Sequence, residues 1–237
     1  MLRVSQATDI GLVRKLNEDS ILCGPQEVFV VADGMGGHVA GEIASHIFTG
    51  TVREKLSSGR LPLDENGLRQ LVVEANDAIL DSIKEYPERD GMGTTATLLH
   101  IEGRCGYWAH VGDSRLYRLR HGVMEQITVD HTYVEELLAS GVISTAEAQD
   151  HPDRNKLMRA VGVDKDVKVD TGCLELETGD IFLLCSDGLT NMVTCQAIQT
   201  VLEAHDCQDK AGALVDVAKA GGGLDNISAI VVEYDEE

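Results

Sequence analysis

The chain has 237 residues and a formal net charge of −20, with 40 Asp and Glu residues against 20 Lys and Arg residues. Its hydrophobic share of 43 % is typical of an ordinary soluble globular protein. The acidic balance argues against nucleic-acid binding, because a polyanion is repelled by a field of the same sign, and it favours a monomer.

The sequence contains no segment of the kind that enters a membrane. No apolar run reaches 18 residues, and the first twenty residues lack the apolar core of a signal peptide. Six scattered cysteines form no C-x-x-C pair, and Cys185 lies inside an apolar run, which is typical of a core residue. We therefore expect a reducing compartment, the cytoplasm, and no membrane association.

The predicted elements begin with short strands up to about Asp33. Helical spacing of apolar residues predicts a helix within residues 38–56 and a second one from about Asp64 to Tyr86. Turn-bounded strands then follow in close succession, which is typical of antiparallel hairpins.

A polar, helical insertion is predicted at about residues 132–155. Two strands, further helical stretches to about Lys219 and a C-terminal strand complete the chain. With no linker or repeat in the sequence, we predict one α+β domain over residues 1–237, with antiparallel strands inside and helices outside.

Two apolar runs of strand type end on the same dipeptide. "VFVVADGMGG" reaches Asp33-Gly34, and "IFLLCSDGL" reaches Asp187-Gly188. Asp and Gly are also good turn formers, so one such site alone is more often a simple turn. Two further acids have similar settings: Asp113 follows "WAHVG", and Asp225 directly precedes the last strand.

Acids at the ends of several buried strands can meet at one edge of a sheet. Clustered carboxylates without a cation repel each other and lose hydration, which raises their pKa values. Hard divalent ions with oxygen ligands, Mg²⁺ or Mn²⁺, would relieve that repulsion. None of the four acids has a Cys or His at zinc-like spacing, so zinc is disfavoured.

Seven motifs occur in one order along the chain. They are RKLNEDS, VADGMGGHVAGE, GMGTTA, HVGDSR, LMRAVG, CSDGLT and DNISAIVV. Together they resemble the metal-dependent Ser/Thr protein phosphatases of the PPM family, type 2C, in its bacterial branch. The resemblance covers residues from about Ala7 to Val232, and it implies two antiparallel β-sheets packed as a sandwich with helices on both outer faces, a four-layer α-β-β-α arrangement.

The resemblance also implies the ligands of two core ions, Mn²⁺ or Mg²⁺. Asp33 resembles the carboxylate that bridges both ions, and the Gly34 carbonyl resembles a ligand of the second. Asp187 and Asp225 resemble the other ligands of the first ion. Asp113 resembles the carboxylate that holds a third, weaker ion.

Further roles follow from the same resemblance. Glu18 and Asp19 would act through metal-bound waters, and Asn226 would orient its neighbour. Arg14 resembles the family's phosphate clamp, for which arginine suits because its planar fork binds two phosphate oxygens at once. The insertion at 132–155 lies where the family has a mobile flap, although an ordinary surface helix pair would give the same sequence pattern.

The implied reaction is hydrolysis of phosphoserine and phosphothreonine in proteins, opposing a Ser/Thr kinase. Two ions about 4 Å apart would lower the pKa of a shared water far below its bulk value, towards roughly 7, which would supply a hydroxide nucleophile. The leaving alkoxide needs an acid, but Met35 stands where animal members carry a histidine. A metal-bound water is the preferred donor here, with His38 as the alternative.

The sequence is also compatible with other functions. A cysteine phosphatase would need an Arg six positions after a Cys, which no cysteine here has. A phosphatase acting on a small-molecule phosphate would share the same site. A phospho-sensing regulatory module would keep the fold and lose metal ligands, whereas this chain retains every predicted ligand.

Overall fold

The computed structural model describes residues 1–36, 40–59, 62–149 and 151–236. His38, the alternative proton donor, lies outside the described residues. The described strands are β1 Leu2–Asp9, β2 Asp19–Gly24, β3 Val28–Met35, β4 Gly93–Thr94, β5 Ala96–Glu102, β6 Cys105–Val111, β7 Arg115–Arg120, β8 Val123–Gln126, β9 Asp170–Glu175, β10 Ile181–Cys185 and β11 Ile227–Tyr234.

These strands form two antiparallel sheets. The first has the order β1-β11-β10-β7-β8, and the second has the order β2-β3-β5-β6-β9 with the short β4 beside β3. In both sheets, strands distant in sequence become neighbours. For example, β1 pairs along its whole length with β11.

Helices cover the outer face of each sheet. The described helices are α1 Gly41–Ser58, α2 Glu65–Glu85, α3 Tyr133–Ala139, α4 Thr145–Gln149, α5 Asp187–Thr190, α6 Cys195–Glu203 and α7 Lys210–Ala220. Helices α1 and α2 pack on the second sheet, and α6 and α7 pack on the first. The predicted α+β sandwich with helices on both outer faces is confirmed, and α1 and α2 lie within a few residues of the predicted helices.

The strands at the centre of each sheet are buried on both faces. In β3, Phe29 and Val31 face the layer between the sheets, whereas Val28 and Val30 face α1 and α2. Strand β10 alternates in the same way, with its Cys185 turned towards α6 and α7 and fully buried, as predicted. Burial on both faces explains why these strands read as continuous apolar runs in the sequence.

The predicted insertion at 132–155 contains two short helices, α3 and α4. An antiparallel bridge between Thr132 and Leu157 holds its two ends together. A pair of backbone hydrogen bonds, from Tyr133 to Lys156 and from Met158 to His131, closes the same neck. The segment therefore leaves the sandwich and returns at one place.

No helix among the residues described above has the length and apolar character needed to cross a membrane.

Candidate metal centre

Five aspartates converge at one edge of the sandwich, which we call the acidic edge: Asp19, Asp33, Asp113, Asp187 and Asp225. Because neighbouring strands are antiparallel, the end of one strand lies beside the start of the next. Asp33 in β3 thus pairs directly with Asp19 at the start of β2.

In the first sheet, β10 ends at Cys185, opposite the starts of β7 and β11. This register places Asp187, which follows β10, at the same edge as Asp113, which precedes β7, and Asp225, which precedes β11. The hydroxyl of Ser186 donates to Asp19 Oδ2 at 2.7 Å, so the edges of the two sheets meet at this point.

The electrostatics of Asp33 shows how close this convergence is. Burial raises the pKa of the half-buried Asp33 carboxyl well above its usual range, and the neighbouring charges raise it further. Those charges belong to Asp19, Asp187, Asp113 and Asp225, in that order of effect. The predicted acids are therefore near enough to Asp33 to oppose its ionisation.

The pKa values of Asp113 and Asp187 are raised by the same two causes, burial and neighbouring negative charge. Burial raises the pKa of Asp113 to about 7, helped by the charges of Asp187 and Asp130 and opposed by Arg115. Burial also raises the pKa of Asp187, with the charge of Asp225 as the next cause. Asn191 Nδ2 donates to Asp187 Oδ2 at 3.1 Å and partly offsets that effect.

Asp19 is the most buried of the five, with 4 % of its surface exposed. Burial is the main cause that raises its pKa to about 6, and hydrogen bonds from Ser228 and Ser186 oppose the rise. Its Oδ1 atom is buried and has no hydrogen-bond partner among the described residues. A buried carboxylate oxygen without a partner is costly, so this atom is suited to a ligand that the protein itself does not supply.

Gly34 occupies a position where no side chain fits. A Cβ atom there would collide with the backbone carbonyl oxygens of Gly41 and Glu18. The Gly34 N–H donates to the Glu18 carbonyl at 3.0 Å, which holds the end of β3 against the segment before β2. The need for glycine is thus steric, because two backbone segments approach β3 closely here.

Arg14 reaches the acidic edge from the segment between β1 and β2. Its Nη2 atom donates to Asp225 Oδ2 at 2.7 Å, and the side chains are 48 % and 36 % exposed. Hydrogen bonding to Asp225 is the largest cause that raises the pKa of Arg14. The cation therefore lies beside the carboxylates, where the sequence predicts the phosphate clamp.

Asn226 holds the segment that carries Arg14 and Glu18. Its side chain accepts the Glu18 N–H at 2.8 Å and donates to the carbonyls of Ile10 and Leu16. Its backbone N–H, and not its side chain, donates to Asp225 Oδ1. The side-chain amide of Asn226 thus fixes the segment between β1 and β2, and its role in orienting Asp225 stays a prediction.

The hydroxyl of Thr95 links two strands of the acidic edge. Its Oγ1 atom accepts the Asp33 N–H at 2.9 Å and lies 2.7 Å from Ser114 Oγ. Thr94 adds a bond from its Oγ1 to the Asp33 carbonyl. Both threonines belong to the GMGTTA motif, which contributes to the family resemblance without indicating a role for them.

A second group of side chains, without a role in the sequence-based predictions, supports the turn that carries Asp113. Gly112, before it, donates to His131 Nδ1 at 3.1 Å and accepts the His131 N–H through its carbonyl. Arg115, after it, forms a two-pronged ion pair with Asp130, in which Nε donates to Oδ1 and Nη2 donates to Oδ2. The adjacent residues Asp130 and His131 thus hold the turn from both sides, at the point where the insertion begins.

The described residues do not form a complete set of metal ligands around a single point. Among them, no three His, Cys, Asp or Glu side chains are grouped closely enough to hold a metal ion as they stand. The ligand roles of Asp33, Gly34, Asp113, Asp187 and Asp225 accordingly remain predictions.

This combination of a two-sheet sandwich and an acidic edge at the strand ends defines the class of the protein. The family model for Protein phosphatase 2C matches residues 14–217. The chain therefore belongs to the protein phosphatase 2C family, and the predicted family is confirmed.

Individual bacterial relatives support the same assignment. The chain is 38 % identical to the serine/threonine protein phosphatase PstP of Mycobacterium tuberculosis over 99 % of its own length and 46 % of that protein. It thus spans about half the length of this relative. It is also 38 % identical to the serine/threonine phosphatase stp of Listeria monocytogenes, over 96 % of this chain and 94 % of that protein.

A solved structure matches the fold over nearly all of both chains. The catalytic domain of the serine/threonine protein phosphatase PstP, in complex with two manganese ions, aligns with a TM-score of 0.88 and 36 % identity. The alignment covers 98 % of this chain and 97 % of that one.

Proposed function

We propose that this chain hydrolyses phosphoserine and phosphothreonine in proteins, with divalent Mn²⁺ or Mg²⁺ ions held at the acidic edge. The observation that carries the proposal is the convergence of Asp33, Asp113, Asp187 and Asp225 at one edge of the sandwich, where the charges of the other three raise the pKa of Asp33, beside the cation of Arg14. The manganese ions of the related PstP catalytic domain support the choice of metal.

The residues at the acidic edge fit a hard divalent ion. Their side chains offer carboxylate oxygens, the donors that Mn²⁺ and Mg²⁺ prefer. The buried Asp19 Oδ1 without a partner and the raised pKa of Asp33 both indicate negative charge that the described residues leave uncompensated. A bound cation would remove both costs together.

We assign the core ions to Asp33, the Gly34 carbonyl, Asp187 and Asp225. Glu18 and Asp19 would act through water at the rear of the site. When bound, the ions supply an activated water and polarise the phosphoryl group. Strands β3, β10 and β11 hold these carboxylates at fixed positions, and the Thr95 hydroxyl keeps the Asp33 backbone in register.

Arg14 would orient the phosphate. Only its Nη2 atom has a partner among the described residues, so its other N–H groups remain for phosphate oxygens. The neighbouring Met35 carries no transferable proton. The leaving hydroxyl must therefore take its proton from water in the site or from another group.

A third, weaker ion and a flap belong to the same proposal. Asp113 would hold the third ion, and the segment 132–155 would be the flap within a single domain of residues 1–237. The contacts of His131 with Gly112 join the base of that segment to the turn of Asp113. This direct connection supports a role for the segment beside the site.

The setting we propose is the cytoplasm, with proteins phosphorylated by a Ser/Thr kinase as substrates. The names of the bacterial relatives, which are serine/threonine phosphatases, support this substrate class. A net charge of −20 disfavours self-association, so we propose a monomer.

Phosphate release from matched phosphoserine, phosphothreonine and phosphotyrosine peptides, with Mn²⁺ or with excess chelator, tests the function. We expect turnover of the first two only when Mn²⁺ is present, and its loss in Asp187→Ala. Turnover restricted to a small phosphomonoester would instead show a small-molecule phosphatase. Peptide binding without turnover would show a phospho-sensing module.

A further inference from the structure

Three large apolar side chains are exposed on the short segment that carries Arg14. Leu12, Val13 and Leu16 are 63 %, 61 % and 49 % exposed within the sequence GLVRKLN at residues 11–17. Leu224, which directly precedes Asp225, is 56 % exposed. Single exposed apolar residues are ordinary, but a group of them beside a functional site indicates a binding surface.

Leu12 joins the two loops that carry these side chains. The Leu12 N–H donates to the Gly223 carbonyl at 2.7 Å, and a Cβ atom on Gly223 would lie 3.0 Å from Leu12 Cγ. Leu12 thus packs against the loop that presents Leu224. We call Leu12, Val13, Leu16 and Leu224 the apolar rim; it borders the Arg14–Asp225 pair.

The segment that carries most of the apolar rim has a positive net charge, whereas the whole chain is strongly negative. Residues 11–17 contain Arg14 and Lys15 and no acid, on a chain of net charge −20. A second copy of the chain is a poor occupant, because docking rim to rim would bring two acidic edges together. A phosphorylated segment with apolar neighbours complements both the local positive charge and the apolar surface.

We propose that the apolar rim binds an apolar side chain next to the phosphorylated residue of a protein substrate, so that the site selects phosphopeptides with apolar flanks. This inference rests on the proposed phosphatase function. Partial burial of one leucine-sized side chain predicts a preference of about five- to tenfold in kcat/KM.

The test uses two phosphothreonine peptides that differ only in the residues on each side of the phosphothreonine, Leu in one and Gln in the other. Both side chains are uncharged and similar in size, so the ratio of kcat/KM reports apolar contact. With Mn²⁺ present, we expect the wild type to prefer the Leu peptide about five- to tenfold. The ratio should approach one in Leu12→Ser and fall in Val13→Ser.

Val123→Ser is the matched control. Val123 is 66 % exposed and is the first residue of β8. It pairs with Arg120 at the end of β7, whereas Asp113 precedes the start of β7, so Val123 lies at the opposite end of these strands from the acidic edge. Its replacement should leave the ratio at the wild-type value.

Equal kcat/KM for both peptides in the wild type, or an unchanged ratio in Leu12→Ser, would overturn the inference. Sedimentation velocity adds a second readout: a wild-type dimer that Leu12→Ser makes monomeric, with the ratio unchanged, would assign the rim to self-association. Failure of the proposed function has a different signature, because neither peptide would be hydrolysed, and the inference would fall with it.

Discussion

At the scale of single residues, Arg14 and Asp225 form an ion pair that is open to solvent. One nitrogen, Nη2, makes the contact at 2.7 Å, and both side chains are more than a third exposed. Exposed pairs of this kind contribute about 0–1 kcal/mol to stability. A phosphate group could therefore replace Asp225 as the partner of the Arg14 guanidinium at little energetic cost.

Replacement of Arg14 should separate phosphate binding from metal binding. Arg14→Ala should raise KM and lower kcat, with a total loss of about 2–4 kcal/mol in transition-state stabilisation, because a preorganised charged donor is removed. Arg14→Lys should recover part of this loss, since it restores the charge without the fork. Affinity for Mn²⁺ should not weaken, because the variant loses a positive charge beside Asp225.

Steady-state kinetics on a phosphothreonine peptide, beside a Mn²⁺ titration, measures both effects. Arg3→Ala is the control, because Arg3 lies near the start of β1, at the edge opposite Asp225. Wild-type kinetics in Arg14→Ala would show that Arg14 is only a surface charge.

Asp113 should affect turnover more than binding of the core ions. Asp113→Ala should keep two Mn²⁺ ions bound and lower kcat substantially, because only the third, weaker ion is lost. Loss of a half-buried carboxyl with a raised pKa should not destabilise the fold. A Mn²⁺ titration of the variant that detects no bound ion would place Asp113 among the core ligands and contradict its assignment.

At the scale of elements, the acidic edge depends on contacts between strands that are far apart in sequence. Thr95 precedes β5, whereas the Asp33 N–H that its hydroxyl accepts belongs to β3, 62 positions earlier. The same hydroxyl bonds Ser114, beside Asp113, so one side chain fixes the positions of two predicted ligands.

Removal of that hydroxyl should weaken both the fold and the site. Thr95→Val keeps the shape but leaves the Asp33 N–H without its partner, so we expect the free energy of unfolding to fall by about 1–3 kcal/mol and kcat to decrease. Thr95→Ser keeps the hydroxyl and should recover most of both. Urea unfolding and phosphate release provide the measurements. Equal stability of the Val variant and the wild type would show that the bond contributes nothing.

Much of this arrangement was predictable from local sequence patterns. The apolar runs that end at Asp33 and Asp187 indicate buried strands followed by acids, and the periodicity of α1 and α2 indicates amphipathic helices. The family resemblance added the two-sheet sandwich, which the structure confirms.

The supporting contacts were not predictable in the same way. The bonds of Thr95 and His131 depend on strand register and on the path of the insertion, which local spacing does not determine. The side chain of Asn226 likewise reaches Ile10 and Leu16, more than 200 positions away in sequence. Motifs such as GMGTTA signalled that these positions matter without showing what they touch.

At the scale of the whole molecule, one buried histidine links stability to pH. His110 is fully buried in β6, where burial, followed by the charge of the adjacent His131, lowers its pKa from 6.5 to about 3, against a smaller opposing effect of Asp170. Below pH 6.5, His110 therefore binds a proton in the unfolded chain but stays neutral in the folded chain until the pH approaches 3. The contribution of neutral His110 to the free energy of unfolding is complete above pH 6.5 and is lost as the pH falls towards 3.

This linkage predicts a pH-dependent difference between the wild type and His110→Asn. From pH 7 to pH 5, the wild type should lose about 2 kcal/mol through His110 alone, whereas the variant lacks this loss. The difference in their free energies of unfolding, measured in urea without metal, should shift by that amount in favour of the variant. An identical difference at both pH values would mean that His110 is protonated inside the fold.

The most direct test of the metal centre is a calorimetric titration of Mn²⁺ into chelator-treated protein, wild type beside Asp33→Asn. Asparagine keeps the size of the side chain and removes the charge that faces the other four aspartates. We predict at least two bound ions in the wild type and loss of the core ions in Asp33→Asn, which should still unfold cooperatively. The same stoichiometry and affinity in both proteins would contradict a metal centre at the acidic edge.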